Sequence, residues 1–168
     1  IALYEAGEQF RIDMAEGVPP LGMTRVGLHV GDAIVGNFGG DGRIQYTALG
    51  DSMNTAARLE SANKELRNHI LFSAEAASRS HRQDLVPMGC VSLRGRSQPV
   101  ELFAPRPDLP QDIRARLHQL LGAHRNGDHT EYVTIATELS AKLPHDPAIM
   151  FLIKRLSATQ KGESYVLI

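Results

Sequence analysis

A strand that breaks at a Gly-Asp pair into a helix is the feature that most constrains how this chain can fold. Apolar and polar side chains alternate over Arg43–Leu49, which is typical of a β-strand with two different faces. Gly50 and Asp51 interrupt the alternation, and apolar residues then recur at helical spacing. Asp51 or Ser52 can serve as the N-cap of this helix. The sequence therefore predicts a β-strand followed at once by an α-helix.

Two polar side chains of the predicted helix, Asn54 and Arg58, are one turn apart and therefore share a face. An amide can orient a ribose hydroxyl, and a guanidinium is a permanent cation that can meet negative charge developing on a phosphate. The pair suits phosphoryl chemistry on a nucleotide. It also fits an amphipathic helix with a solvated polar face, because such pairs occur by chance in many helices.

The segment upstream of this strand predicts further β-structure. Residues 25–39 begin with an apolar and polar alternation and contain a turn signal at Gly31 and Asp32, which indicates a β-hairpin. A second turn, over the Gly-Gly-Asp-Gly run of residues 39–42, leads into the strand described above. On that strand Tyr46 and Thr47 point to opposite faces.

Residues 25–61 resemble the class III nucleotide cyclases, which are the adenylate and guanylate cyclases. In that family an R-x-G-x-H-x-G strand and a G-N-x-G turn precede the motif Y-T-x-x-G-D-x-x-N-x-A-x-R, and this sequence matches all three in order. Residues 70–73 and the Ala-rich segment after them resemble the family's next strand and helix. Residues 91–103 resemble its final hairpin.

The resemblance implies roles for four residues of this sequence. Asn54 would position the ribose, and Arg58 would stabilise the pentavalent phosphorus of the transition state. Arg94 stands where the family usually has a Lys that contacts the triphosphate, and it keeps the positive charge on a planar guanidinium group. Thr47 occupies the position that contacts the purine together with a Lys contributed from elsewhere. Outside the family context, Arg94 also fits a solvated hairpin cation, and a β-favouring Thr on a sheet face is the better interpretation of Thr47.

The residue at position 47 also bears on the choice of nucleotide. Thr at this position is typical of a large bacterial branch of adenylate cyclases, whereas guanylate cyclases usually have Cys or a similar residue. A hydroxyl can form a hydrogen bond with the amine or a ring nitrogen of adenine. The resemblance therefore favours ATP over GTP as the substrate.

The metal-binding half of a class III site has no counterpart in this sequence. In the family, the preceding region carries two Asp residues that bind two ions, Mg²⁺ or Mn²⁺, and the purine-reading Lys. The chain starts at Ile1 within a predicted helix, so we expect a fragment whose metal ligands lie upstream or on the partner subunit. Asp32 and Asp51 are not assigned as metal ligands, because both lie at turn or cap positions where Asp bonds the local backbone.

Class III cyclases build their site at a dimer interface, with the metal-binding Asp pair on one subunit and the Asn and Arg on the other. We therefore expect a homodimer in which this chain supplies Asn54 and Arg58. One Arg cannot replace two metal ions, so the chain alone should be inactive, while its parent should convert ATP to 3′,5′-cyclic AMP and pyrophosphate. Two alternatives stay open, namely a non-catalytic cyclase-like module for dimerisation or regulation, and a guanylate cyclase.

Composition excludes several other classes of protein. A net charge of −1, without a basic stripe interleaved with aromatic residues, argues against a nucleic-acid partner. The single cysteine, Cys90, excludes an internal disulfide and fits a reducing compartment. The seven histidines are scattered without zinc-ligand spacing. We expect a cytoplasmic chain without membrane contact of its own, and an upstream membrane anchor in the parent is compatible with the sequence.

The last third of the sequence predicts helices rather than strands. Residues 105–110 contain three prolines and predict a stiff linker. Helical spacing follows over residues 112–125, and an Asn-Gly-Asp turn and a Pro-x-Asp-Pro motif introduce two more helices. The pattern resembles a single tetratricopeptide-type unit. Because one unit cannot bury its own faces, we expect it to dock on the cyclase domain or on the partner subunit rather than form a peptide-binding groove.

These observations predict an α+β fold of the ferredoxin-like, palm-type kind. The predicted sheet is mainly antiparallel, has helices on one face, lacks the first strand of the family and is followed by a small all-α tail. The predicted organisation is a partial cyclase domain at 1–104, a linker at 105–110 and a helical tail at 111–168. Loss of the first strand should expose apolar sheet surface.

Overall fold

The computed structural model describes residues 1–14, 22–40, 42–93, 98–159 and 163–166. In chain order, the first elements are α1 Ala2–Asp13, β1 Val26–Leu28, β2 Ile34–Gly40, β3 Arg43–Leu49, α2 Asp51–Glu65, β4 Ile70–Ser73 and α3 Ala74–Arg79. They are followed by β5 Leu85–Ser92, β6 Val100–Pro105, α4 Gln111–Asn126, α5 His129–Lys142, α6 Pro147–Ser157 and β7 Tyr165–Val166.

Five strands form one sheet in the order β1-β4-β6-β5-β7, and β2 and β3 form a separate two-stranded hairpin. Strand β6 runs antiparallel to both β4 and β5, whereas β1 is parallel to β4 and β7 is parallel to β5. The α+β class, with a helical tail after the sheet, is confirmed. The predicted turn between β2 and β3 is confirmed as well, since Gly40 pairs with Arg43 across it.

The prediction that residues 25–39 form a hairpin is wrong. Val26 pairs with Ile70 of β4 in a parallel ladder, while Ile34 pairs with Leu49 of β3, so β1 and β2 belong to different sheets. Strand β4 is buried along its whole length, so it offers β1 a more apolar neighbour than the exposed β2 does. The Gly31-Asp32 pair therefore forms a corner between two sheets rather than a hairpin turn.

The sheet buries a different set of side chains on each face. The larger core joins α2, the β5–β6 hairpin and all three tail helices, with Leu71, Val86 and Leu102 at its centre. A smaller cluster on the other face contains Ile70 and Phe72, and Ala76 of α3 and Tyr4 of α1 pack there. Helix α2 and the tail helices lie on the face of the larger core, as the prediction of helices on one face requires, but α1 and α3 pack on the opposite face. Both faces can bury side chains because successive residues of β4 point to opposite faces and are apolar.

A glycine allows α2 to lie directly on β1. A β-carbon at Gly27 would lie 2.2 Å from the carbonyl oxygen of Ala56 and 2.4 Å from the backbone nitrogen of Glu60. Further along the helix, the fully buried Asn63 donates from Nδ2 to the carbonyl of Val26 at 3.0 Å. Close backbone contact and one buried side-chain hydrogen bond thus fix this helix against the sheet.

The tail helices share the larger core instead of standing apart from it. Leu117, Ile135, Leu139 and Ile149 are at most 1% exposed and belong to the same cluster as the sheet residues. Nε2 of His118 also lies 3.1 Å from the carbonyl oxygen of a β5 residue, within hydrogen-bonding distance. The predicted docking of the tail on the cyclase-like part is confirmed, whereas its tetratricopeptide character stays a prediction.

Candidate active site

Asn54 and Arg58 lie on the first two turns of α2, on one face of the helix. Asn54 is exposed, and its backbone N–H donates to the carbonyl of Gly50 at 3.3 Å. Arg58 is half-buried, and its Nη1 is buried without a hydrogen-bond partner among the described residues. Leaving a buried guanidinium N–H unpaired costs free energy, so this nitrogen is a donor available to an incoming oxygen.

The helix that carries this pair starts differently from the prediction. Its N-cap is Gly50, at φ 152° and ψ 165°, a conformation that favours glycine. Neither Asp51 nor Ser52 is the N-cap, so that prediction is wrong. Ser52 instead donates from Oγ to the carbonyl of Asp32 at 2.5 Å, outside its own helix. The glycine takes the cap position because the chain must turn sharply between β3 and α2.

Thr47 lies on β3, three residues before Gly50. It pairs with Gly36 of β2, and it is exposed. The strand that carries Thr47 thus runs directly into the helix that carries Asn54 and Arg58. The structure brings these three residues onto consecutive elements, and no described hydrogen bond engages the side chain of Thr47.

The predicted final hairpin is confirmed in both of its strands. Val91 of β5 pairs with Val100 of β6 in an antiparallel ladder. Arg94, which we predicted to contact the triphosphate, lies outside the described residues. Its role therefore stays a prediction.

Residues 1–104 match the family model of the adenylate and guanylate cyclase catalytic domain. The chain belongs to the class III nucleotide cyclases. Adenylate cyclase 1 of Rhizobium meliloti (strain 1021) is 36% identical over 107 residues, which are 61% of this chain and 16% of that protein. The terminal-differentiation specific adenylate cyclase of Dictyostelium discoideum is 28% identical over 146 residues, which are 79% of this chain and 7% of that protein.

A solved structure of a bacterial light-regulated adenylyl cyclase matches this cyclase chain with a TM-score of 0.51 and 25% sequence identity. The match covers 71% of this chain and 35% of that one. In all of these comparisons the chain spans a minor part of the relative, at most 35% of its length. The residues matched by the family model, 1–104, include the strand–helix junction of β3 and α2.

The described part of this cyclase chain does not fit a two-metal site. None of the described residues form a group of three or more His, Cys, Asp and Glu side chains able to hold a metal ion. Asp32 is exposed in the loop before β2, and Asp51 is the first residue of α2. Within the same described ranges, no helix is long and apolar enough to cross a membrane.

The sequence did not indicate the polar contacts that hold the cyclase helix α2 in place. Ser52, His29 and Asn63 each bond a residue far away in the chain. Nδ1 of His29 is hydrogen-bonded to Oγ of the buried Ser73 at 2.9 Å. No local pattern signals such contacts, since a serine in a first helical turn ordinarily indicates a cap.

Proposed function

We propose that this chain is the transition-state half of an adenylate cyclase that converts ATP to 3′,5′-cyclic AMP and pyrophosphate. The observation that carries the proposal is Nη1 of Arg58, which is buried without a hydrogen-bond partner in the described part of the chain and lies one helical turn from the exposed Asn54. A preorganised cation of this kind stabilises charge that develops on a phosphoryl group. The adenylate cyclase names of the two curated relatives support the choice of reaction.

The reaction forms a bond between the ribose 3′ oxygen and the α-phosphorus and breaks the bond from that phosphorus to the pyrophosphate oxygen. The amide of Asn54 would hold the ribose so that its 3′-hydroxyl lies in line with the leaving group. Arg58 would donate to the oxygens of the α-phosphoryl group, where negative charge is redistributed in the transition state. Arg58 therefore acts chiefly on kcat rather than on ATP binding.

Thr47 and Arg94 complete the substrate contacts that we propose for this chain. The hydroxyl of Thr47 would accept from or donate to the adenine base. Arg94 would contact the triphosphate as a fixed cation. The exposed position of Thr47, on the strand that leads into α2, is compatible with this role.

The two metal ions of the reaction, Mg²⁺ or Mn²⁺, would be held by residues outside this chain, because its described carboxylates do not form a suitable group. We place those ligands on the other subunit of a homodimer or upstream in the same polypeptide. It follows that the chain alone should be inactive, and that its contribution is to bind and orient the substrate.

An exposed apolar surface beside α2 supports the homodimer. On one face of the β2–β3 hairpin, Val35, Ile44 and Tyr46 are 57%, 74% and 75% exposed, and Met53 in the first turn of α2 is 46% exposed. Exposed apolar side chains grouped on one face mark interfaces in proteins that fold stably. Burying it against a second copy would bring the metal-binding half of the partner's site close to Asn54 and Arg58.

The proposed organisation is a cyclase domain at 1–104, a linker at 105–110 and a helical tail at 111–168. Strand β6 ends at Pro105 and α4 begins at Gln111, which supports these limits. Because the substrate is ATP, we place the chain in the cytoplasm, with or without a membrane anchor elsewhere in the parent.

A complementation assay tests the shared site. This chain is mixed with a version extended upstream of Ile1 that carries Arg58→Ala, and cyclic AMP formation from Mn-ATP is measured for the mixture and for each component alone. We expect activity only in the mixture, because the short chain supplies Arg58 and the extended chain supplies the metal ligands. Introducing Arg58→Ala into the short chain should abolish the activity, whereas Lys64→Ala, an exposed cation on the same helix, should retain it.

Two results would contradict the proposal. A silent mixture, when the chains associate and the wild-type extended chain is active, would exclude donation of Arg58 across an interface. A silent wild-type extended chain would instead favour the non-catalytic, regulatory module.

The purine contact has its own test. We expect the active mixture to prefer ATP to GTP, and Thr47→Ala in the short chain to reduce that preference by about tenfold, as the loss of one hydrogen bond implies. Thr130→Ala, an exposed threonine of the tail, is the matched control. If the wild-type mixture turned over GTP faster than ATP, the protein would be a guanylate cyclase.

A further inference from the structure

The hydroxyl of Ser52, in the first turn of α2, forms a hydrogen bond with a residue outside this helix. Oγ donates to the backbone carbonyl of Asp32 at 2.5 Å, across 20 residues of chain. A serine at the start of a helix ordinarily accepts from a backbone N–H of that helix, but here Gly50 takes the cap position without a side chain. The Ser52 hydroxyl therefore joins α2 to the loop between β1 and β2.

The loop packs so closely on this turn that two glycines are required. A β-carbon at Gly31 would lie 2.9 Å from the β-carbon of Ser52. A β-carbon at Gly50 would lie 3.1 Å from the carbonyl oxygen of Asp32 and 3.4 Å from the α-carbon of Ala33. The hydrogen bond from Ser52 thus lies within a tight contact between the loop and the first turn of the helix.

The loop is itself anchored to the large sheet. The side chain of His29, which is 9% exposed, is hydrogen-bonded through Nδ1 to Oγ of Ser73 at 2.9 Å. Ser73 is fully buried at the end of β4 and caps α3 by accepting from the N–H of Ala76. A continuous series of contacts therefore runs from the sheet through the loop to Ser52.

The first turn of α2 is also held from within the helix, since the fully buried Thr55 donates from Oγ1 to the carbonyl of Asp51 at 2.8 Å. Asn54 donates its backbone N–H to Gly50 at 3.3 Å, which is long for an N–H···O bond. The N-cap contributes no side-chain bond, and helix ends that lack such bonds tend to open. Ser52, two positions before Asn54, adds a side-chain bond from this turn to the loop before β2, and that bond resists the opening.

We propose that Ser52 is a positioning residue of the cyclase reaction, whose hydroxyl fixes the first turn of α2 and thereby the ribose-orienting Asn54. This inference rests on the proposed function of Asn54 and Arg58. Ser52 itself touches neither the ribose nor the phosphate in this account. Its effect is to hold Asn54 within the narrow range of positions that in-line attack requires.

Amide hydrogen exchange in this chain alone gives the first test. We expect Ser52→Ala to speed exchange at the amides of Asn54 and Thr55 by at least about tenfold, because the turn opens more often. The amides of Leu59 and of α4 should keep their rates, which shows that the variant is folded. Ser61→Ala is the matched control on the same helix, since among the described residues its hydroxyl bonds the neighbouring Glu60, at 3.4 Å, and no distant segment. Unchanged exchange at Asn54 in Ser52→Ala would overturn the proposal.

The complementation assay gives the second test. We expect Ser52→Ala in the short chain to lower kcat by about tenfold to a hundredfold with little change in KM, because a small displacement of an orienting group acts on the reacting geometry. Ser52→Thr keeps the hydroxyl and should restore most of kcat, and Ser61→Ala should leave it unchanged. An unaltered kcat in Ser52→Ala, with faster exchange at Asn54, would show that the contact is structural only and would overturn the positioning role.

Failure of the proposed function is distinguishable from failure of this inference. A silent wild-type mixture would remove the reaction, and with it the catalytic part of the inference. The exchange measurement would still decide whether the Ser52 hydroxyl fixes the turn.

Discussion

Arg106 donates from Nη2 to Oδ2 of Asp146 at 2.5 Å, and this contact joins the end of the sheet to the first turn of α6. The other oxygen of Asp146 caps the helix by accepting from the backbone N–H groups of Ala148 and Ile149 at 3.1 and 3.0 Å. Both side chains of the pair are 14% exposed. A single carboxylate therefore starts α6 and holds it to the segment that directly follows β6.

We expect Arg106→Met to lower the free energy of unfolding by about 2–3 kcal/mol, because it leaves the carboxylate of Asp146 largely buried without its cation. Burial lowers the pKa of Arg106, but the hydrogen bonds to Asp108 and Asp146 outweigh it and raise the pKa overall, so Arg106 stays charged. Urea unfolding followed by circular dichroism measures the loss. Arg116→Met, which breaks the ion pair between Arg116 and Glu138 at a more exposed place, should cost less than about 1 kcal/mol. Equal losses of unfolding free energy in Arg106→Met and Arg116→Met would show that burial does not make the Arg106–Asp146 pair more stabilising than the exposed one.

The packing of α2 on β1 predicts opposite effects of alanine at two glycines. Gly27→Ala should destabilise the protein by about 1–3 kcal/mol, because the new β-carbon would lie 2.2 Å from the carbonyl oxygen of Ala56 and the helix would have to move. Gly122→Ala, in α4, should stabilise it by about 0.5–1 kcal/mol, because nothing lies within 4 Å of the new β-carbon and alanine is the better helix former. Thermal unfolding should show a lower Tm for the first variant and a higher Tm for the second. A neutral Gly27→Ala would mean that α2 does not rest on β1 this closely.

The sequence predicted those element boundaries that are set by residues at the boundary itself. The β3–α2 junction follows from a change of periodicity at Gly50, and the start of α6 follows from Asp146 and Pro147 at its first positions. The pairing of β1 could not be predicted in the same way. Its Gly31-Asp32 boundary is typical of a hairpin, and the burial of β4 that draws β1 into the large sheet is a property of the folded core.

For the candidate site, the sequence predicted which residues share a helix face but not the contacts that they make. The four-residue spacing of Asn54 and Arg58 was enough to place them on one helix face. It could not predict that Nη1 of Arg58 is buried without a partner among the residues that the structure describes, or that Ser52 bonds a loop 20 residues away. Those properties depend on how α2, the loop and the sheet pack together, and packing over such distances leaves no periodic signal in the sequence.

The C-terminal end of α2 predicts a stabilising substitution. Arg67 adopts a left-handed conformation, with φ at 56°, directly after the helix ends. A side chain in this conformation costs roughly 1 kcal/mol, and glycine is the usual residue at such positions. We therefore expect Arg67→Gly to raise the free energy of unfolding by about 0.5–1 kcal/mol in urea titrations. Arg67→Ala, which removes the guanidinium but keeps the β-carbon, should have little effect. If both variants stabilised the protein equally, the side chain and not the backbone would be responsible.

The ion pair before β5 predicts a dependence of stability on pH. Arg82 donates to both carboxylate oxygens of Asp84, at 2.8 and 2.5 Å, and these bonds hold the pKa of Asp84 below its usual range although burial opposes them. A carboxyl whose pKa is lower in the folded state stabilises the protein fully above its unfolded pKa, near 3.9, and loses this contribution as the pH falls through the folded pKa. Asp84→Asn should therefore cost about 1 kcal/mol at pH 7, and the difference from wild type should shrink as the pH falls below about 4.

Urea unfolding at pH 7 and at several values below pH 4 measures this difference for Asp84→Asn. The main-chain bond from the N–H of Arg106 to the carbonyl of Asp84 is unaffected by the substitution, so the effect isolates the side chain. Asp13→Asn, at an exposed carboxylate near the end of α1, is the matched control and should show neither the loss at neutral pH nor its pH dependence. A loss in Asp84→Asn that stayed the same from pH 7 to acidic pH would mean that the carboxylate acts through its shape and hydrogen bonds rather than through its charge.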